Sequence, residues 1–340
     1  MTISSILSKA EHDKELSKQD MKTLFQVPLF SPEYGLLLAA ARKKSAEASQ
    51  GQAEVHAQIG VNIAPCPMSC RFCAFSQSNQ VFTESVVFPP EYIIEQAQQF
   101  EHDGANAVYL MCTADFSFEQ FLEISEQVKQ ALKNDTVLVA NIGDFTNKQA
   151  GELRDIGFSG IYHAVRMGEG RDTKIPVEKR LETMQYAREH GLFIGTCLEP
   201  VGPEHTVEEL VEKTLITRDV EPVYSGCARR IALEGTPLST YGMISEARMA
   251  QLVAVVRLAL PLNIPGNCTH EPTILGGVAG ANVLWAEMGS NPRDNEKETE
   301  KKRGRTVHEC RIMLEEAEWN VLNGPSQFYH PTLFERAVTP

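Results

Sequence analysis

Glu54-Val55-His56-Ala57-Gln58-Ile59-Gly60-Val61-Asn62 is a β-rich run, and it leads directly into Pro65-Cys66-Pro67-Met68-Ser69-Cys70-Arg71-Phe72-Cys73. The first segment predicts a strand and the second a loop carrying three thiols. Seven further β-rich runs follow: Ala105 to Met111, Thr136 to Ala140, Gly160 to His163, Leu192 to Cys197, Val223 to Cys227, Leu262 to Gly266, and Ala281 to Ala286. Amphipathic helical stretches separate most of them, at Pro90 to His102, Ser117 to Lys133, Asn147 to Asp155, Val177 to His190, Thr206 to Thr217 and Ser245 to Leu260. Several open on a capping residue or Pro and close on Gly. Regular alternation implies parallel strands joined by right-handed crossovers, and eight such units close into an α/β protein of the (β/α)8 TIM type. An open doubly wound sheet gives the same local pattern. The seventh run is the weakest, because two prolines interrupt it.

Outward from the alternating region, residues 1–53 read as a helical extension, with helices expected at Ile6 to Glu15, Lys18 to Gln26 and Tyr34 to Glu47, capping the barrel's base. The barrel is assigned to 54–322 and a C-terminal tail to 323–340. The charged run Arg293 to Arg305 is expected to be a solvated loop or exposed helix start.

Composition narrows the class of function. The 340 residues are 42% hydrophobic and 23% charged, values of an ordinary globular chain. The formal charge of −13 opposes attraction to nucleic acid phosphates, so no nucleic acid partner is expected. No run approaches the length of an apolar span and no leader pattern stands at the start, so the expected setting is cytoplasmic, without a membrane. Eight cysteines are present, three of them within residues 66–73 and the rest scattered, a distribution that suits a reducing compartment.

Cys66, Cys70 and Cys73 stand at spacing C-x3-C-x2-C directly after the first strand, on the catalytic rim of a parallel barrel. Three thiolates on one tight loop can each reach a different iron of a cubane, whereas a closed zinc site needs a fourth ligand that neither this loop nor a second cysteine pair offers. One coordination position is then vacant, where a small molecule can ligate and receive an electron. A zinc site completed by a distant residue, or coincidental packing, is the competing reading.

With Phe72 before the last cysteine, this loop resembles that of the radical S-adenosylmethionine superfamily. Beyond it the chain is similar to the biotin synthase group, which includes the iron-only hydrogenase maturase and methylornithine synthase. The likeness is carried by the segment from Gly191 ending Pro200-Val201-Gly202-Pro203-Glu204-His205-Thr206, by Leu233-Glu234-Gly235-Thr236-Pro237-Leu238, by Ala279-Gly280-Ala281-Asn282, and by Asn291-Pro292-Arg293. The resemblance implies a 4Fe-4S cluster on Cys66, Cys70 and Cys73, with S-adenosylmethionine chelating the fourth iron. It further implies a reducing electron donor such as flavodoxin or ferredoxin, and a 5′-deoxyadenosyl radical that abstracts hydrogen from a small-molecule substrate.

The same resemblance assigns cofactor contacts. Arg166 and Glu169 follow the fourth strand and would clamp the carboxylate and the ribose or amine; Arg suits a bidentate carboxylate grip. Glu199, Pro200 and Val201 end the fifth strand, where the group lays backbone against adenine, as Phe72 would also do. Thr113 to Asp115 departs from the Gly-Gly-Glu type motif of many relatives. Cys112, Cys197, Cys227 and Cys268 sit near the ends of four strands and could face one cavity, holding a second cluster, although isolated buried thiols are the plainer reading. In biotin synthase such a cluster uses cysteines on the second, third and fifth strands, and the third strand here has none. Cys268 and His270 are candidate substrate contacts, His270 also a candidate second-metal contact. The leading expectation is a single-cluster radical enzyme for a small metabolite in cofactor or unusual amino-acid biosynthesis. The alternatives are a sulfur-inserting enzyme of the biotin or lipoyl synthase kind, and a non-catalytic metal-binding scaffold.

Overall fold

Residues 2–330 are described by the computed structural model of the chain. Eight strand positions are occupied by β1 (Gln52–Gly60), β2 (Ala107–Met111), β3 (Val137–Asn141), β4 (Gly160–Tyr162), β5 (Phe193–Gly195, resuming as Leu198–Val201), β6 (Tyr224–Arg229), β7 (Gly266–Thr269) and β8 (Val283–Gly289). Each pairs in parallel with the next, and β8 returns to β1 with Glu54 to Gly60 facing Val283 to Gly289, so the sheet closes on itself. The expected (β/α)8 barrel is therefore observed, and the open-sheet alternative is excluded by the β8 to β1 pairing. Both faces of the strands are buried, as a closed parallel sheet requires.

The seventh strand lies four residues later than its sequence pattern suggests. Pro261 and Pro265 carry no amide hydrogen and cannot donate to a ladder. Pairing starts at the next amide, Gly266 N, which donates to Val223 O at 3.1 Å.

Helices α1 (Ile3–Glu11), α2 (Lys18–Phe25) and α3 (Pro32–Ala48) precede the barrel; α4 (Pro90–His102), α5 (Phe118–Ala131), α6 (Asn147–Ile156), α7 (Val177–Glu189), α8 (Val207–Asp219), α9 (Glu246–Ala259), α10 (Ile274–Val278) and α11 (Val307–Glu316) follow. Capping boxes at Thr146/Gln149, Thr206/Glu209 and Thr306/Glu309 set the starts of α6, α8 and α11. From Met249 onward α9 is buried around its whole circumference, which follows from its position between two layers. Its inner side meets β6 and its outer side is covered by α1 to α3. Tyr34 Oη donates to Ala247 O at 2.9 Å, and Gln251 Nε2 donates to Val27 O at 2.7 Å. The N-terminal extension is thus an outer layer over α9 that also meets the loops at the barrel's base, where Ser45 Oγ donates to Gly280 O at 2.6 Å and Leu262 N donates to Asp13 Oδ1 at 3.0 Å.

The centre of the base is closed by residues 326–329. Glu54, at the start of β1, accepts from Ser326 Oγ and from the amides of Gln327 (2.8 Å) and Phe328 (3.4 Å). Tyr329 enters the barrel and its hydroxyl meets Tyr109 Oη at 2.8 Å, above which His56, Tyr224 and Trp285 pack edge to face. This aromatic floor fills the lower barrel, and a cavity lies toward the C-terminal ends of the strands. The last part of the expected tail, 331–340, lies outside the described residues. The run Arg293 to Arg305 is only partly solvated. Asp294 and Thr299 are buried and bonded to each other (2.9 Å), and Arg303 ion-pairs with Glu287 inside the barrel mouth. Among the described residues no helix is long and apolar enough to cross a membrane.

Candidate active site

The thiol loop is stitched to segments that follow three different strands. Cys66 N donates to Phe75 O (2.7 Å), Ala74 N to Pro292 O beyond β8 (2.9 Å), and Arg71 N to Asp172 O beyond β4 (2.9 Å). Ser69 takes a left-handed backbone, φ +55°, turning the chain between the first two thiols. Asn79, nearly buried, donates its amide to both Cys70 O (3.0 Å) and Cys73 O (2.9 Å), which fixes the last turn of the loop. All three thiols line one cavity at the C-terminal end of the barrel. Burial pushes the Cys66 thiol up to about 11 and Cys73 up to about 12, and raises Cys70 as well, with Arg166 pulling the last in the opposite direction. Alone they stay protonated at neutral pH; a cationic centre is what ionises them.

Phe72, Arg166, Glu199, Pro200 and His270 share that cavity with the three cysteines. Burial opposes the charge of Arg166, but Glu199, Glu169 and Cys70 more than compensate and hold it protonated. Among the described residues no carboxylate ion-pairs with it directly, so its donors remain available. Glu169 is not on the cavity wall. Its oxygens accept from Arg166 N (3.1 Å), Thr173 Oγ1 (2.6 Å) and Arg180 Nε (3.2 Å), so it supports the Arg166 turn from behind. Val201 packs into the core, and Cys268 lies behind the wall.

The four scattered cysteines do not surround one point. Cys112 lines the cavity near Cys66, whereas Cys197 and Cys268 meet elsewhere, Sγ to Sγ 3.7 Å, with Cys227 buried beside them. A second cluster on all four is therefore ruled out by their placement.

Several wall residues carry no local motif. Gln58, Asn141, Tyr162 and Glu287 come from β1, β3, β4 and β8, and Arg293 of the Asn291-Pro292-Arg293 motif joins them from the loop after β8. Gln58 Oε1 accepts from Asn141 Nδ2 at 2.6 Å, and Glu287 accepts from Asn291 Nδ2 at 2.7 Å. One signal was readable: in β1 the polar residues Glu54, His56 and Gln58 alternate with Val55, Ala57 and Ile59, which marks a polar inner face. Arg180 of α7 gives no such signal. It reaches inward to Glu169 and to Asp144 (Nη1 to Oδ2 3.2 Å), and Asp144 also lies 2.9 Å from His163 Nε2.

This network makes stability pH-dependent. Burial pushes the His163 ring down to about 4, against the Asp144 hydrogen bond that works the other way. An unfolded histidine titrates near pH 6.5, so between about pH 6.5 and 4 the unfolded chain binds a proton that the folded chain refuses. The stabilisation is complete above that window and is lost as pH falls through it, on the order of 3 kcal/mol in all. Burial tends to raise Asp144, but His163 and Arg180 hold its carboxyl below the usual range, so its contribution is lost at still lower pH. Urea unfolding of wild type and His163→Asn between pH 7 and 4 checks this: the variant should show a shallower slope, and parallel slopes would contradict it.

The chain has recognisable relatives. Residues 64–214 match the family model of the Radical SAM superfamily. Biotin synthase of Legionella pneumophila (strain Corby) is 22% identical over 263 residues, covering 74% of this chain and 81% of that protein. Biotin synthase of Myxococcus xanthus is 23% identical over 292 residues, covering 81% and 82%. The crystal structure of methylornithine synthase superimposes with a TM-score of 0.78 at 18% identity, over 98% of this chain and 100% of that one. The FeFe-hydrogenase maturase HydG from Carboxydothermus hydrogenoformans does so at 0.79 and 18%, over 97% and 81%. At such identity these two structures establish a common fold.

Proposed function

Because the chain belongs to the radical SAM superfamily, as an enzyme of the biotin synthase-like kind, we propose that it uses S-adenosylmethionine to abstract hydrogen from a small metabolite held inside the barrel. The 4Fe-4S cluster and S-adenosylmethionine of this superfamily supply, when bound, the electron and the carbon radical. Cys66, Cys70 and Cys73 are the residues that would hold the cluster, and the donor set fits. They are soft thiols on one pinned loop and all three line one cavity. Arg166, charged and free of a direct carboxylate partner, would take the cofactor's carboxylate; Phe72, Glu199 and Pro200 would line its nucleoside.

The observation that carries this reading is the sharing of one chamber by the thiol loop, Arg166 and a polar inner wall. The aromatic floor closes the chamber from below, which shields a reactive carbon radical from water on that side. Gln58, Tyr162, Glu287 and Arg293 line the remainder of the chamber and would orient a polar metabolite. Anaerobic reconstitution with iron and sulfide counted, followed by a 5′-deoxyadenosine assay, tests the proposal. About four irons per chain with nucleoside formation supports it; a clear excess of iron supports the sulfur-inserting alternative; no nucleoside from a four-iron protein overturns it.

Arg166→Met should weaken S-adenosylmethionine binding by roughly 10- to 100-fold, the effect of deleting a charge-assisted hydrogen bond. Iron content should stay unchanged. Anaerobic equilibrium dialysis reads both quantities, and undiminished binding to the iron-loaded variant would remove Arg166 from the cofactor site.

A further inference from the structure

We propose a second metal site inside the barrel, independent of the thiol loop: Cys197, Cys268 and His270 bind one thiophilic divalent cation of the zinc class. A sulfur from each cysteine and a ring nitrogen of His270 all lie within 4.8 Å of one another, and all three residues are buried. The two sulfurs are 3.7 Å apart. Two thiolates at about 2.3 Å from a tetrahedral ion stand about 3.8 Å apart, so the sulfurs already span a coordination edge.

A second observation concerns His270. Its Nε2 is buried without a hydrogen-bond partner, as is the hydroxyl of Tyr162 next to it. A polar atom abandoned in this way is costly unless a ligand satisfies it. The ring is held in place by packing alone, stacked on Trp285 (4.5 Å, 13°) and flanked by Tyr162 (5.2 Å). Cys268 is seated just as firmly. Gly226 of β6 has φ +145°, and a Cβ there would fall 2.0 Å from Cys268 O, so only glycine lets the two strands approach this closely.

Charge closes the argument. A divalent cation displaces the two thiol protons to solvent, and two thiolates with a neutral imidazole leave the buried complex with no net charge. Two sulfurs and a nitrogen select zinc over magnesium or calcium. His270 also lines the cavity, so the site adjoins the chamber.

The test is made on the full chain with the loop thiols replaced, C66S/C70S/C73S, so that no cluster forms and its outcome is separate from that of the proposed radical chemistry. Anaerobic titration with cobalt(II) should give one equivalent per chain with sulfur-to-cobalt charge-transfer absorption and intense tetrahedral d–d bands. Adding C197S or C268S should abolish these bands, H270A should weaken binding at least tenfold, and C227S, which alters a buried neighbouring thiol outside the trio, should leave them intact. Absence of thiolate bands, or bands indifferent to both C197S and C268S, overturns the site. Should the triple variant not fold, zinc K-edge absorption of the iron-loaded wild-type chain decides: two sulfur scatterers and one imidazole nitrogen per zinc support the site, and zinc that stays unbound, or a sulfur count other than two, overturns it.

Discussion

Replacing Cys66, Cys70 or Cys73 by alanine should take bound iron from about four per chain to almost none and reduce 5′-deoxyadenosine formation to background. The three substitutions are expected to be equivalent, because each removes one of only three protein ligands and leaves a cubane held by two. The fold should survive all of them. The loop is anchored through backbone groups and Asn79, none of which needs the thiols, so unfolding midpoints should differ from wild type by no more than about 1 kcal/mol. Cys310→Ala is the informative contrast. That thiol is fully buried on α11, and its Sγ lies 3.3 Å from Trp285 O, so its loss should lower stability while iron content and nucleoside formation persist. Iron analysis, the nucleoside assay and urea unfolding on the same preparations separate the two classes. An alanine variant of the loop that keeps four irons and full turnover would dismiss the cluster assignment.

The thiol loop was legible because its pattern is local: three thiols lie within eight consecutive residues, and no tertiary contact is needed to bring them together. The strands were legible for a related reason, since burial on both faces of a closed parallel sheet leaves short β-rich runs between amphipathic helices. What failed depended on long-range packing. The helices of residues 1–53 and their contact with the base were found, but not their coverage of α9, because that is recorded in the apolar surface of α9 rather than in their own pattern. The charged run after β8 was read as solvated, yet Arg293 and Arg303 turn back to the barrel mouth, where Glu287 supplies a compensating charge from a strand interior. Glu169 was placed with Arg166 on the cofactor because both follow the fourth strand at the rim, where the group carries polar cofactor contacts. In the structure it ion-pairs with Arg180 on the next helix, and strand position says nothing of that pairing.

Arg180 therefore carries the second large expectation: Arg180→Met should destabilise the protein by about 3–5 kcal/mol, the cost of breaking a buried ion pair from one side. Its side chain is 4% exposed, that of Glu169 0% and that of Asp144 15%, so the two carboxylates left behind have little water to turn to. Methionine fills the aliphatic volume, which confines the loss to charge and hydrogen bonds. Arg180→Lys should recover only part of it, since one ammonium cannot serve Glu169 through Nε and Asp144 through Nη1 at once. The decisive measurement is a double-mutant cycle. If an uncompensated carboxylate is the cause, Glu169→Gln should cost less on the Arg180→Met background than on wild type, and urea midpoints would reveal a coupling of about 1 kcal/mol or more. Strict additivity, or a single variant within about 1 kcal/mol of wild type, would mean that water reaches the pair despite its burial. The same variants bear on the site, because Glu169 accepts from the Arg166 amide at 3.1 Å and so fixes the turn that presents the guanidinium. Arg180 also lines the cavity, so a weakened grip on S-adenosylmethionine in Arg180→Met, with iron retained, would show that this network serves the proposed cofactor site as well as the fold.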